Sequence, residues 1–598
     1  MGEMPAGKIT LGRYMWERIH QIGVDTIFGV PGDFNLQFLD YLFHVDGLKW
    51  IGNMNELNAS YAADGYARVK GVPGCVVTTH GVGELSALNG VAGAMSEQVK
   101  IIHVVGQTPR PIQKNHMMIH HSIGNKPDHQ LYNKASEGLR YAAAELWDIE
   151  TAPAEIDRVI RECFLKSGPV YIFLPLDLSK EHVDAKLLDN PINTKPDVDE
   201  AAQERAVKAV VEALKEAKHP TILVDAWTQR FGAAEEAQQL VRKLHVPWFC
   251  ANMGKGVVSE DDEMYVGVWN GEVSTPGVKE AAKAADLVIT LGYIPCDTNS
   301  AAFSRPLSEE STIHINPHDV VVKGQIFPNM SIKSLISSLS AALPSKPQHA
   351  IPKPQLPAPR TPLDKDATQL TQSFLWPAIE SFLQPNDLII GETGTSNFGL
   401  CDIKFPPNAR FITQIYYGSI GFATAATLGV EVARSELPST QPSRTVLITG
   451  DGSMALTIQE IGTMIAQNLP IVIFVINNAG YTIERLIWGA KQPYNDIVPT
   501  NYSHLLPLYN HPDPDSSFHR ASTKAELQSI LGLKTLREPR DLQLVELVVD
   551  KLDTSWKLGT TLAWRSVEHR KYLTEEGFMD TYGNWGLEGE SGGTVKWF

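Results

Sequence analysis

Two short, wholly apolar runs, each ending in a polar turn, constrain this chain more than any other feature. Residues 445–449 read Thr-Val-Leu-Ile-Thr and pass into Gly450-Asp451-Gly452-Ser453, while residues 470–476 pass into Asn477-Asn478-Ala479-Gly480. An unbroken apolar run of this length is what a strand covered on both faces looks like, which means a parallel sheet flanked by helices. Asn478 follows Asp451 by 27 positions, about the length of one strand–helix–strand unit. The runs are therefore expected to be neighbouring parallel strands. Asp451 and Asn478 then share the carboxyl edge of the sheet, where open α/β sheets bind ligands.

The same alternation fills the rest of the chain and predicts an α/β protein of three doubly wound domains. Strands are expected at 26–30, 74–79, 100–105 and 169–174, with a helix over 55–69 that carries Ala, Tyr and Leu at helical spacing. A polar stretch, 189–199, precedes a second block with a helix at 200–217 and strands at 221–224, 286–291 and 312–315. Seven prolines between Pro344 and Pro362 mark an exposed linker. The boundaries read as 7–188, 200–343, a linker at 344–366, a third domain at 367–565 and a tail at 566–598, with no internal sequence repeat.

Composition narrows the class. The net charge of −16 over 598 residues argues against a nucleic-acid partner. Five cysteines, none in a C-x-x-C pair, argue against a disulfide framework or a zinc ribbon and for a reducing compartment. Residues 1–10 lack the apolar core of a signal peptide, and no run approaches the 18 apolar residues of a membrane span. The expected location is cytoplasmic, with no membrane partner.

At the sheet edge, the Asp451 carboxylate, the Asn478 amide oxygen and a backbone carbonyl such as that of Gly480 are hard oxygen ligands. They suit Mg²⁺ shared with a phosphate. Gly450 and Gly452 let the backbone approach a diphosphate, and the following helix offers its first amides. G-D-G alone is as often a plain turn; the paired strands and the spacing favour the ligand site.

With those residues in place, the chain resembles the pyruvate decarboxylases over about residues 8 to 560. The likeness runs through Gly29-Val30-Pro31-Gly32-Asp33-Phe34-Asn35, Asn55-Glu56-Leu57-Asn58-Ala59, Tyr61 to Arg68, His120-His121, Met253-Gly254-Lys255-Gly256, Glu392-Thr393-Gly394-Thr395-Ser396, Gly418-Ser419-Ile420-Gly421 and Gly480 to Glu484, all in family order. The resemblance implies non-oxidative decarboxylation of a 2-oxo acid to an aldehyde and CO₂, with thiamine diphosphate and Mg²⁺ as cofactors and an enamine on the cofactor. It places Glu56 against the pyrimidine ring, where a buried carboxyl drives the amine to its imino form. Ile420 would prop the cofactor in a bent shape and the Gly418 carbonyl accept from the amine. Thr395, Ser419, Gly450, Asp451, Gly452, Ser453, Asn478, Gly480, Tyr481 and Ile483 complete the cofactor set, with Asp451, Asn478 and Gly480 on the metal. Asp33, His120, His121 and Glu484 match the acid–base set. Adjacent histidines could ligate a metal, but an i, i+1 pair points two ways in regular structure, so proton relay fits better. Glu56 and Asp451 lie in different domains; in the family they meet between subunits, which implies a homodimer as the minimal active unit and a homotetramer.

Departures from the family pattern bear on substrate. Asn125 is followed by Lys126-Pro127-Asp128-His129 where Gly-Asp-Phe is usual. The resemblance implies a substrate pocket that includes Thr298, Thr393, Asn397, Ile483 and Ile487. Fungal enzymes often carry Phe at the position of Thr298 and a small residue at that of Asn397, so the expected substrate is pyruvate or a larger or more polar 2-oxo acid, including branched-chain and aromatic ones. Trp227 stands where yeast-type enzymes carry the cysteine linked to substrate activation. The tail, rich in Gly and aromatics, reads equally as a lid or a frayed terminus. A carboligase forming acyloins, a non-catalytic regulator, and a flavin-containing acetohydroxyacid synthase share the fold. The intact Glu56, Asp451 and Asn478 argue against the regulator, and His120-His121 with Glu484 against the synthase.

Overall fold

The computed structural model describes residues 7–344, 351–438 and 441–587. Part of the linker (345–350) and the end of the tail (588–598) lie outside the described residues. The chain forms two compact units. The first holds residues 1–196 with 424–439 and 457–467; the second holds 197–423, 440–456 and 468–598.

The first unit is built on a six-stranded, wholly parallel sheet in the order Lys49–Gly52, Thr26–Gly29, Gly74–Thr79, Ile101–Gln107, Pro169–Pro175, Ala142–Glu145. The three strands from Gly74 to Pro175 are buried along their whole length, which is why they read as continuous apolar runs. The helix Glu56–Lys70 starts where Asn55 caps it, its side chain accepting from Asn58 N, and ends at Gly71 in the left-handed region. Two of its neighbours come from far along the chain. A Cβ at Gly65 would lie 2.2 Å from the Ala426 carbonyl oxygen, and one at Gly429 would lie 1.8 Å from that of Ala62. The helix Phe422–Glu436 therefore packs on Glu56–Lys70 backbone to backbone, which only glycine permits. Glu436 accepts from Thr26 Oγ1, Tyr66 Oη and Lys70 Nζ at 2.6, 2.6 and 2.8 Å. Glu460 accepts from Asn53 Nδ2 at 2.8 Å.

The second unit carries two sheets. One has seven strands in the order Tyr265–Val268, Trp248–Cys250, Pro220–Val224, Leu287–Leu291, Thr312–Ile315, Asp319–Val322, Gln325–Pro328, with the last two antiparallel. The other has six parallel strands in the order Arg410–Ile412, Leu388–Gly391, Thr445–Gly450, Ile471–Asn477, Gln543–Val548, Phe518–Ala521. Numbered along each sheet's own stretch of chain, the first and last sheets share one order, 2-1-3-4-6-5. The sequence shows no repeat, yet the two sheets are topological copies. Each therefore has its switch point between its first and third strands.

From residue 351 to residue 362 the linker is irregular, as the prolines imply. It is not loose throughout: Leu356 joins the apolar cluster around Trp269, and Arg360 Nη1 donates to the Gly586 carbonyl at 2.9 Å. The described part of the tail packs against the third domain. The helix Val567–Glu576 and residues to 587 dock, with Leu573, Phe578 and Trp585 sharing a core with Leu486, Ala490 and Leu558.

Candidate functional site

In the first unit the switch point lies after Thr26–Gly29 and Gly74–Thr79. Gly32 is tight against Thr79, and its N–H donates to Asn35 Oδ1 at 2.8 Å, closing the turn that presents Asp33. Asp33 Oδ2 meets His120 Nε2 at 2.5 Å, with both side chains about half exposed (52% and 53%). Phe34 stacks on the His120 ring at 5.0 Å.

The expectation that His120 and His121 diverge needs correction. His121 sits at φ +68°, outside regular structure, and its ring meets that of His120 edge-on, with centroids 4.8 Å apart. The left-handed turn is held from below, where Tyr132 Oη donates to the His121 carbonyl at 2.6 Å. That carbonyl lies over Gly81 (φ +71°), where a Cβ would come within 2.9 Å of it. Asp33, His120 and His121 consequently offer one ligand atom each, all within 4.8 Å of one another. This geometry can pass a proton and can also gather around a cation. Tyr132 and Gly81 were not legible as site residues, because their role depends on the sign of one φ angle.

Glu56 opens its helix, half-buried, with Gly83 so close that a Cβ there would lie 3.1 Å from Glu56 Oε1. Burial raises its carboxyl above the ordinary value, offset only in part by a backbone hydrogen bond.

Beneath the histidine pair lies His80, fully buried between Phe34, His129 and Tyr132. Neither ring nitrogen makes a hydrogen bond, and Glu84 Oε1 is 3.7 Å from Nδ1. Burial pulls the imidazole down to about 4, helped by His129, His121 and His120, while burial pushes Glu84 up to about 7. An unfolded histidine titrates near 6.5, so between pH 6.5 and 4 the unfolded chain takes up a proton that folded His80 refuses. Its contribution to stability is present above pH 6.5 and lost as pH falls toward 4. At pH 5 the loss is about 2 kcal/mol. His80→Phe, read by urea midpoints at pH 8 and pH 5, is expected to flatten the acid slope by that amount. Equal slopes in variant and wild type would refute it; Glu84 is present in both.

In the second unit the predicted neighbours are neighbours. The strands Thr445–Gly450 and Ile471–Asn477 pair in parallel, with Gly450 opposite Ile476. Asp451 is 2% exposed and accepts from Gly452 N at 2.8 Å and Gly480 N at 3.2 Å. Burial lifts its carboxyl to about 6 against those amides. Ala479 takes φ +56° and Gly480 φ +141°, folding the loop back toward Asp451. The Asn478 amide ends 2.8 Å from the Gly480 carbonyl and 3.1 Å from Asp451 Oδ1, where its nitrogen donates to both while its oxygen accepts from Thr482 Oγ1. A half-turn of that amide gathers three oxygens on one point, a donor set that fits Mg²⁺. Tyr481 covers Gly452, where a Cβ would strike its ring at 2.6 Å, and Gly450 faces open space, as a diphosphate requires. Ser453 is buried in the helix Asp451–Thr457.

The remaining predicted residues fall around this edge. Gly418 (φ +67°), Ser419 and Ile420 form a partly exposed loop, with Ser419 N donating to Gln414 Oε1 at 3.1 Å. Thr395 begins the helix Thr395–Leu400, and Thr393 Oγ1 donates to the Gln414 carbonyl. Ile483 stands 3.6 Å from the point a Cβ would occupy at Gly394, and with Ile487 it borders the core that holds the tail. Glu484 is exposed on the helix Thr482–Ile487. Glu392, quoted above only as part of a motif, is 1% exposed and accepts from Thr393 N at 3.0 Å and Ala423 N at 3.2 Å. One carboxyl thereby ties both loops together; an acidic residue closing an apolar strand was the available signal.

Asn397 and Thr298 do not offer free polar groups. Asn397 Nδ2 donates to Thr413 Oγ1 at 2.9 Å with the residue 3% exposed, and Thr298 Oγ1 donates to the Ile415 carbonyl at 3.2 Å.

Comparison with known proteins shows the family. Residues 9–130 match the thiamine pyrophosphate enzyme N-terminal TPP binding domain, 207–343 the central domain and 392–510 the C-terminal TPP binding domain. The chain is 41% identical to a pyruvate decarboxylase of Candida glabrata over 556 residues, 92% of this chain and 97% of that one. It is 40% identical to pyruvate decarboxylase isozyme 1 of Saccharomyces cerevisiae over 555 residues, with the same coverage. Among solved structures, the thiamine diphosphate-dependent 4-hydroxybenzoylformate decarboxylase of Rhodococcus jostii RHA1 shares the fold, with a TM-score of 0.71 at 17% identity over 91% of this chain and 99% of that one. The chain belongs to the pyruvate decarboxylase family of thiamine-diphosphate-dependent enzymes.

Proposed function

We propose that this enzyme decarboxylates a 2-oxo acid without oxidation, releasing an aldehyde and CO₂, with thiamine diphosphate and Mg²⁺. The observation that carries the reading is the convergence of Asp451, Asn478 and the Gly480 carbonyl at the carboxyl ends of the neighbouring strands Thr445–Gly450 and Ile471–Asn477, a donor set suited to a metal-bound diphosphate. When bound, the cofactor would supply the sink for the electron pair left behind as the carboxylate departs as CO₂. The chain's own residues then have limited tasks. Glu56, its carboxyl raised by burial, holds a proton against the pyrimidine ring. Asp33 and His120 form a hydrogen-bonded pair that can hand a proton to product, and His121 lies beside them. Glu484 serves the same acid–base set. Ile420 shapes the cofactor and Gly418 accepts from its amine.

We propose a homodimer as the minimal active unit and a homotetramer as the assembled form. Supporting this, exposed apolar side chains crowd both half-sites: Met54, Val82, Met117 and Met118 in the first unit, Leu456 and Trp488 in the second. A cytoplasmic location is part of the same reading; among the described residues no helix is long and apolar enough to cross a membrane.

For the substrate, the structure supports room rather than polarity. Thr298 is smaller than the Phe often found there, and both its hydroxyl and the Asn397 amide are already engaged. Aldehyde release from pyruvate, branched-chain 2-oxo acids, phenylpyruvate and indolepyruvate tests the activity. Thr298→Phe is expected to shift the ratio of kcat/KM toward pyruvate about tenfold or more against phenylpyruvate. An unchanged ratio removes Thr298 from the specificity pocket. Absence of aldehyde from every acid overturns the decarboxylase reading, and acyloin formation with an added acceptor aldehyde would then favour the carboligase.

A further inference from the structure

Glu484 rides on the helix Thr482–Ile487, six residues long. So short a helix is marginal alone, and its last carbonyls have no partner within it. Here those carbonyls are met by side chains from nearly a hundred residues downstream. Tyr572 Oη donates to the Arg485 carbonyl at 2.9 Å and accepts from Ala490 N at 3.0 Å. His569 Nε2 meets the Leu486 carbonyl at 2.8 Å. Trp488, just past the helix, stacks on the Tyr572 ring at 5.8 Å and 12°. Both tail residues belong to Val567–Glu576, whose Ser566 cap and Gly577 terminus (φ +88°) fix its length. Behind it Trp585 is buried, its N–H held by Asp580 Oδ2 at 2.9 Å and its carbonyl by Thr560 Oγ1 at 2.6 Å.

From the helix's other side the fully buried Arg485 donates to the carbonyls of Ala490, Ala479 and Asn495 at 2.8, 3.1 and 3.0 Å. The Ala479–Gly480 loop that would hold the metal and the helix that carries Glu484 are thus one braced piece. Docking by apolar contact alone would not need two polar side-chain tips, each aimed at a separate helix-end carbonyl.

We propose that Val567–Glu576 is a brace that positions Glu484, with Tyr572 and His569 as positioning residues. This rests on the reading of Glu484 as part of the acid–base set. The brace fixes where the helix backbone lies; Glu484 itself, exposed at the site, does the chemistry.

The test uses full-length holoenzyme as wild type, Tyr572→Phe, His569→Ala and His569→Gln. Two readouts run together: steady-state kinetics across pH, and hydrogen exchange of the segment 482–492. Expected are a kcat about tenfold lower in Tyr572→Phe and His569→Ala, with KM and thiamine diphosphate affinity held within about twofold. The pH profile shifts with it, and His569→Gln, which restores a donor, recovers most of the loss. Exchange of segment 482–492 is expected to quicken about tenfold, as loss of one hydrogen bond allows. Variants that keep wild-type kcat, pH profile and exchange overturn the brace. A variant that exchanges faster yet keeps kcat and pH profile makes the contact structural and overturns its positioning role. If the wild type yields no aldehyde from any acid, the functional reading has failed, and the exchange data alone decide whether the brace exists.

Discussion

Glu56→Gln is expected to lower aldehyde release about a thousandfold or more while the protein still folds and binds cofactor, in line with the usual worth of a positioned acid–base group. Gln keeps the size of Glu and can still occupy the half-buried place beside Gly83, but it cannot hold or give up the proton. Burial raises the native carboxyl, so it retains that proton more readily than a surface Glu. Single-turnover assays with cofactor affinity measured in parallel separate lost chemistry from lost binding. Gly83→Ala is the companion: it crowds the same oxygen without removing charge, and a smaller loss is expected. If Glu56→Gln retains more than a tenth of wild-type activity, Glu56 has no part in the proton chemistry.

The second large effect is at the metal edge. Asp451→Asn is expected to weaken Mg²⁺-dependent retention of thiamine diphosphate at least about 100-fold, beyond what the loss of an outer-sphere partner costs. The wild-type carboxylate accepts amides from Gly452 and Gly480 and still presents an anion toward the Asn478 amide. Asn at 451 would offer a neutral amide in the same space, so the loop can keep its shape while losing its charge. Equilibrium dialysis with and without Mg²⁺ measures this directly. Unchanged retention would remove Asp451 from the metal site and with it the central argument for the cofactor.

What the chain discloses before folding divides along physical lines. Strands buried on both faces leave a short apolar run bounded by turn residues, so Thr445–Gly450 and Ile471–Asn477 were legible to within a residue, and so was their adjacency. The helix predicted over 55–69 was legible from the spacing of Ala, Tyr and Leu alone, and the structure bounds it at Asn55 and Gly71. Features set by one torsion or by distant partners were not legible. The inward turn of His121 needs a positive φ stabilised by Tyr132, Asn397 is occupied by Thr413, and the tail's docking depends on a core assembled from residues nearly a hundred positions apart. The shared 2-1-3-4-6-5 order was not legible either, because backbone pairing sets strand order and hardly constrains side-chain identity.

The first unit borrows residues 424–439 and 457–467, and this has a consequence for birth on the ribosome. A nascent chain that has emerged through residue 196 has its parallel sheet but not Phe422–Glu436, the helix that packs backbone to backbone on Glu56–Lys70. Nor does it have Glu436 and Glu460 for Thr26, Tyr66, Lys70 and Asn53. More than two hundred further residues must be made first, a delay on the order of ten seconds or more at ordinary elongation rates. Throughout it, the small-residue face of Glu56–Lys70 stays open to water and to other chains. Fragments ending near residue 200 are therefore expected to aggregate rather than fold, as sedimentation of such a fragment would show.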